Sequence, residues 1–150
     1  DAVIEKMVTD LGRLGRKNGK GFYDYPADGG EKRLWSGLED HWPWLALQPT
    51  PAMVRERLLY RQLIECARCY EEGVLTAPED GDIGAIFGWG FATWTGGPFS
   101  HMDTVGIGKV VETLDRLTQV HGDRFAPTKQ LREMAAKGDA FYRGKAKAAA

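Results

Sequence analysis

The sequence is sparing with the residues that most often carry chemistry. Of its 150 residues two are cysteine and three histidine, and Ser36 and Ser100 are the only serines. Cys66 and Cys69 form a CxxC pair, but a zinc site needs two further ligands, and His41, His101 and His121 show no paired spacing, so no metal site is expected. A redox pair belongs at a helix N-terminus, whereas this one falls deep inside a predicted helix, so both thiols are expected to be buried, reduced and metal-free. Ser100 lies in Phe-Ser-His without the glycines of a nucleophile elbow, which argues against a serine triad. Charge of one sign is also lacking: 20 Lys and Arg meet 21 Asp and Glu for a net −1. No basic field holds a nucleic-acid backbone or an anionic membrane. Apolar runs are short and interrupted, which excludes a membrane span of about 20 residues and a signal peptide, and points to a cytoplasmic or organellar-matrix setting.

What is present is ordinary globular composition, with 43% hydrophobic, 27% charged and 11% aromatic residues. Val3, Met7, Val8 and Leu11 recur at helical spacing before Gly12, which suits a left-handed cap. Gly15 to Gly21 is a basic turn leading to an extended Phe22-Tyr23-Asp24-Tyr25. Residues 26–50 hold Trp35, Trp42 and Trp44 among prolines, a composition that predicts a strap lying on a helical surface rather than a free tether. Thr50-Pro51 opens a long helix to Gly73 with a stripe at Leu59, Leu63, Cys66 and Tyr70. Thr76-Ala77-Pro78-Glu79 reads as a capping box for a helix carrying Ile83, Ile86 and Phe87 and stopped by Gly88 and Gly90. Pro98 begins a short helix through Met102. Ile107 to His121 is amphipathic, with Val110, Val111, Leu114 and Leu117 inward, and Pro127 opens the last helix, with Leu131, Met134 and Ala135 inward and Gly138 closing it. No hairpin or sheet is predicted, so the fold class is all-α. Lys20-Gly21-Phe22-Tyr23 is echoed by Lys137-Gly138 with Phe141-Tyr142.

The glycine clusters fail as nucleotide sites. In the basic turn the position five before Gly19 is Leu14, and Gly21 follows Lys20 where a P-loop has Ser or Thr; Arg16, Lys17 and Lys20 read as a solvated turn. Gly88-Trp89-Gly90 and Gly106-Ile107-Gly108 lack the third glycine of a dinucleotide fingerprint and follow no strand. Glu79, Asp80, Asp82 and Asp103 are the carboxylates to weigh as acids or bases. Glu79 and Asp80 suit a helix first turn, and Asp103 suits a cap or tether of the turn after Gly96-Gly97-Pro98-Phe99, so structural roles are expected. The residues by themselves describe a helical module without its own active site.

The string RLGRKNGKGFYDYP from Arg13 to Pro26 resembles the end of the C-terminal domain of 3-hydroxyacyl-CoA dehydrogenases. EEGVLTAPEDGDIGAIFGWGFATWTGGPFSHMDTVGIGKVV from Glu71 to Val111 resembles the core of that domain. A domain tail followed by a full copy resembles the multifunctional enzymes that join enoyl-CoA hydratase to the dehydrogenase. The resemblance implies an all-helical domain like the C-terminal domain of 6-phosphogluconate dehydrogenase. It divides the chain into the tail of a first copy (1–25), the Trp/Pro-rich strap (26–50), a second copy (51–143) and a frayed end (144–150). With Asp1 at the start, the chain reads as a piece of a longer polypeptide. The family's catalytic His and Glu and its NAD loop belong to a Rossmann domain that nothing here matches, so no catalytic or cofactor-binding residue is assigned. NAD and acyl-CoA are implied for the parent enzyme, and the Rossmann domain and first repeat are its implied partners. The positions that do match are scaffold positions: Asp82, Gly88, Gly90, Gly97, Pro98, Phe99 and Asp103, with Gly15, Gly19, Gly21, Phe22 and Tyr23. Ala92 and Trp94 depart from the family, which often has prolines there. The isolated chain is expected to pair as a homodimer through uncovered apolar surface, and the competing reading is a helical protein-interaction module.

Overall fold

The computed structural model describes residues 2–142, so the expected frayed end at 144–150 lies outside the described residues. The chain divides into two compact units at Gln48/Pro49.

In the N-terminal unit, α1 (Ala2–Glu5) continues as a wider turn over Lys6–Asp10, closed by an i→i−5 bond from Leu11 N to the Lys6 carbonyl at 3.1 Å. The regular helix expected over Val3–Leu11 is therefore widened. The Thr9 hydroxyl donates back to the Glu5 carbonyl at 2.7 Å, a contact that loosens the helical ladder there. Gly12 then takes the left-handed conformation expected of it (φ +61°). Arg13 is buried and organises the glycine turn and the chain beyond it. Its Nε donates to the Gly21 carbonyl at 2.7 Å, its guanidinium pairs with Asp24, and its Cζ stands 3.9 Å from the centre of a Trp35 ring. To bring Trp35 there the chain makes a hairpin that was not expected: β1 (Tyr23–Asp24) pairs antiparallel with β2 (Arg33–Leu34), Tyr23 opposite Leu34. A cation–π contact inside a turn leaves no periodicity, which is why alternation over so few residues concealed the hairpin. The expectation of a strap on a helical surface is corrected for Trp35, which covers an arginine side chain. A short α2 (Leu38–His41) comes next, and Trp44 is 76% exposed with its Nε1 donating to Glu39 at 3.0 Å.

The C-terminal unit is all-helical among its described residues. In α3 (Pro51–Glu71) the Thr50 hydroxyl accepts from Met53 N and Pro51 stands at the first helical position. Leu63, Ile64, Cys66 and Ala67 are buried, with Leu59 and Tyr70 packed against them. Next comes α4 (Pro78–Trp89), without the expected capping box: Ala77 is the N-cap and no side chain caps it. Pro78 forces its predecessor into an extended conformation (Ala77 φ −143°, ψ 145°), which leaves Thr76 one residue too early. Nor does Gly88 stop this helix, which runs on to Trp89 and ends at left-handed Gly90. A single 3-10 turn over Thr93–Thr95, containing Trp94, leads to α5 (Pro98–Val105), three residues longer than expected because nothing interrupts it before Gly106. The stripe of α6 (Ile107–His121) is as expected, with Val110, Leu114 and Leu117 buried. The last helix, α7 (Lys129–Lys137), starts two residues after Pro127 because the Thr128 hydroxyl, accepting from Leu131 N at 3.2 Å, caps it. Packed between α3, α4 and α6 is α5, whose Phe99 and Met102 have no exposed surface. Arg68 ties α3 to the turn after α6 by donating to the carbonyls of Asp123, Arg124 and Ala126.

The cysteine expectation needs one correction. Cys66 is buried, but Cys69, one turn on and at the edge of the stripe, is half-buried. Burial first, then the Cys69 thiol and the carboxylates of Asp82 and Glu65, pushes the Cys66 thiol up to about 12. A thiol reagent at pH 8 is expected to label Cys69 in the native protein and Cys66 only on unfolding. Equal labelling rates, followed by mass spectrometry, would contradict that placement.

Candidate functional site

Among the described residues, a buried carboxylate collects side-chain and main-chain donors where α4 meets the start of α5. Asp82 lies on the inward face of α4, 4% exposed. Its Oδ1 accepts from Phe99 N at 2.7 Å, and its Oδ2 accepts from Ser100 N at 3.1 Å, Ser100 Oγ at 2.7 Å and the Tyr142 hydroxyl at 2.7 Å. The N-cap of α5 is Gly97, which has no side chain to cap with, and Pro98 brings no N–H. Asp82 takes the role of the cap from a different helix, receiving the first two free N–H groups of α5 with the positive end of the helix dipole behind them.

The glycines are explained by this arrangement. Gly97 has φ +113°, and a Cβ on it would stand 2.5 Å from the Asp82 side chain. On the opposite side of the contact, a Cβ on Gly81 would meet the Phe99 ring at 2.3 Å. The two helices thus interlock: Gly81 admits Phe99, and Gly97 admits Asp82. Phe99 stacks edge-on with Phe141 (4.8 Å between centroids) and Tyr70 (5.7 Å).

Asp103 acts one turn further along α5, though not on the turn after Gly96-Gly97-Pro98-Phe99 as expected. Its two oxygens accept from Phe141 N and Tyr142 N, each at 2.9 Å. Two carboxylates therefore hold the segment after α7, one by its main chain and one by its tyrosine hydroxyl. Beside them opens a cleft of about 390 Å³ bordered by Trp94, Ser100, Thr104 and Tyr142. The hydroxyls of Ser100, Thr104 and Tyr142 on its wall are engaged: Ser100 and Tyr142 donate to Asp82, and Thr104 Oγ1 donates to the Ser100 carbonyl at 2.9 Å. This arrangement is suited to clamping chain segments rather than to moving protons to a substrate.

Of the matched scaffold residues, the structure brings Asp82, Gly97, Pro98, Phe99 and Asp103 together and leaves others apart. Gly88 faces open space within α4, and Gly90 serves only as its left-handed C-cap (φ +77°). In the N-terminal unit Gly15 and Gly19 have positive φ, and Gly21 closes on the same turn, where a Cβ would stand 2.8 Å from the Gly15 Cα; Phe22 and Tyr23 are each more than a third exposed. Sequence reasoning missed Gly81, Ser100 and Tyr142. A glycine directly before an aspartate inside a helix was the available sign for Gly81, since mid-helix glycine calls for a packing reason.

Two outcomes test this geometry. Gly97→Val is expected to destabilise the C-terminal unit by about 3 kcal/mol, since it adds both a strained φ and a clash with Asp82; an unchanged denaturant midpoint would refute the interlock. Tyr142→Phe is expected to cost about 1–2 kcal/mol at neutral pH. Burial first, then Asp82, raises the Tyr142 hydroxyl above its ordinary value of 10.0. Its contribution is therefore whole below pH 10 and is lost as pH rises beyond it. The gap in stability between wild type and Tyr142→Phe should accordingly narrow in alkaline unfolding curves, and a gap that widens would contradict the bond.

Comparison with known proteins agrees with this architecture. The family described as 3-hydroxyacyl-CoA dehydrogenase, C-terminal domain, matches residues 53–148. The chain is 46% identical over 145 residues to the fatty acid oxidation complex subunit alpha of Shewanella loihica, covering 94% of this chain and 20% of that protein. It is 45% identical over 147 residues to the subunit of the same name from Shewanella amazonensis, with the same coverage of each. It thus spans about a fifth of the length of the curated relatives it matches.

Proposed function

We propose that this chain, which belongs to the 3-hydroxyacyl-CoA dehydrogenase C-terminal domain family, is the structural C-terminal part of an enzyme that oxidises L-3-hydroxyacyl-CoA to 3-oxoacyl-CoA with NAD in fatty-acid β-oxidation. The observation that carries this reading is the match of 94% of the chain, at 46% identity, to a fatty acid oxidation complex subunit alpha. On this reading residues 1–25 are the tail of a first C-terminal repeat and residues 51–143 are the second. A Rossmann domain, and an enoyl-CoA hydratase region in a multifunctional parent, stand elsewhere in the polypeptide, in a bacterial cytoplasm or an organellar matrix. No helix among the described residues is long and apolar enough to cross a membrane.

The residues present do not fit NAD. Gly88 and Gly90 stand at the carboxyl end of α4, where carbonyls and the negative end of the dipole would repel a pyrophosphate. Gly106 and Gly108 do stand at a helix start, but α5 and not a strand leads into it. The contribution of this chain is rigidity: Asp82 and Asp103 hold α4, α5 and the segment after α7 as one body.

That body has an apolar side without cover inside the unit. On α4, Ile83 is 58% and Phe87 85% exposed, and bare Gly84 and Gly88 flank them. From Ile83 to Trp89 the helix has no charged residue on any side, and a stretch of that kind belongs in an interior. This supports the docking of the second repeat against another copy of the domain, and in the isolated chain it supports an isologous pair. The test is a titration of the isolated chain with NAD and with acetoacetyl-CoA, beside light scattering at tens of micromolar. No heat from NAD and a mass of two chains are expected. Micromolar NAD binding would overturn the assignment of catalysis to the rest of the enzyme, and a single-chain mass at all concentrations would overturn the pairing.

A further inference from the structure

The first two turns of α3 leave an apolar strip in water. Met53 is 56%, Val54 40% and Leu58 61% exposed, and the spacing of helical neighbours sets them along one side. With Pro49 they border an open groove of about 220 Å³, to which Arg57 and, from the end of α6, His121 also contribute. All of these residues belong to the C-terminal unit.

One end of the groove is cationic. The nearby carboxylates of α3 are engaged elsewhere, Glu56 with Arg116 at 2.7 Å and Glu65 with Arg61 and Arg68. Among the described residues no carboxylate pairs with Arg57 or Arg124, not even that of Asp123, the neighbour of Arg124. Arg124 Nε donates to the His121 carbonyl at 3.3 Å, and the Arg124 carbonyl accepts from Arg61 Nη1 at 2.9 Å, which places Arg124 one turn of α3 beyond Arg57. Partial burial first, then the charges of Arg57 and Arg124, lowers the His121 imidazole from its ordinary value. The groove is thus graded, apolar from Pro49 along Met53 and Val54 and positive from Arg57 to Arg124.

We propose that this groove binds a straight-chain monocarboxylate, its apolar chain lying along Met53, Val54 and Leu58 and its carboxylate received by Arg57 and Arg124. Charge complementarity selects this occupant. A guanidinium offers a carboxylate two parallel N–H donors, and both arginines lack such a partner. An uncharged apolar segment would cover the strip and leave those charges unanswered, and an acidic peptide calls for cations along the groove, whereas here they stand at one end. Size narrows the choice further: at about 220 Å³ the groove is smaller than the roughly 300–1,000 Å³ of sites for larger ligands, so a nucleotide-bearing thioester does not lie within it. The site stands apart from the Asp82 clamp and does not depend on the function proposed above.

The test uses the full-length polypeptide that contains this chain. It is irradiated with decanoic acid carrying a diazirine at the end of its chain, below the micellar concentration, and the labelled peptides are mapped by mass spectrometry. Label is expected within residues 49–58, removed by excess unlabelled decanoate and at least tenfold weaker with the matching alcohol, which keeps the chain and lacks the charge. Arg57→Glu is expected to lower it at least tenfold; Arg57 is exposed and in no ion pair, so the unfolding midpoint should hold. If the midpoint falls, Arg57→Gln takes its place, with a loss of at least threefold. Absence of label from residues 49–58, equal labelling by acid and alcohol, or undiminished labelling of the folded Arg57 variant overturns the proposal.

Discussion

Desolvating a carboxylate is costly, and Asp82 is 4% exposed, so the C-terminal unit is arranged to compensate that one charge. Four donors converge on it from α5 and from the segment after α7, two of them main-chain N–H groups at a helix start. Bonds to an ionised acceptor are stronger than neutral ones, and each donor removed would leave part of a buried charge uncompensated. Gly97 must lack a side chain because Asp82 occupies the space, Pro98 gives up an N–H that Asp82 does not need to reach, and Phe99 fills the notch at Gly81.

The N-terminal unit is organised by a buried charge of the opposite sign. Arg13 donates to the Gly21 carbonyl, pairs with Asp24 and lies against Trp35, and the glycine turn and the hairpin arrange themselves around it. Where Asp82 joins α4 to α5, Arg13 holds a stretch too short to own a core; among its described residues Met7 is the one fully buried large apolar side chain. An amphipathic helix with so little to pack on is stable only when something else supplies the surface.

For function, the arrangement separates rigidity from reaction. The side chains that chemistry would use, Asp82, Ser100, Asp103 and Tyr142, are engaged in holding chain segments together. The surfaces left over are apolar: the outward side of α4 and the strip at the start of α3. Under the proposed function, a domain built this way keeps the other parts of the enzyme in register.

The range of each interaction sets how far it could be read from the residues alone. Helices α3, α6 and α7 were legible because their stripes repeat every three or four residues, and so were the Thr50 cap and the glycine stop after α7. The resemblance carried by Gly97-Pro98-Phe99 and by the glycine turn marked the right neighbourhood. Local signals failed where two rules competed a residue apart, as at Thr76, displaced by Pro78, and at Pro127, superseded by Thr128. It took the folded chain to settle that Asp82 caps the helix after its own, that Asp103 grips Phe141 and Tyr142, and that Trp35 returns to Arg13. Each joins residues that share no periodicity, and the energy that selects them, a charged side chain meeting its partners out of bulk water, exists only after the chain has closed around it.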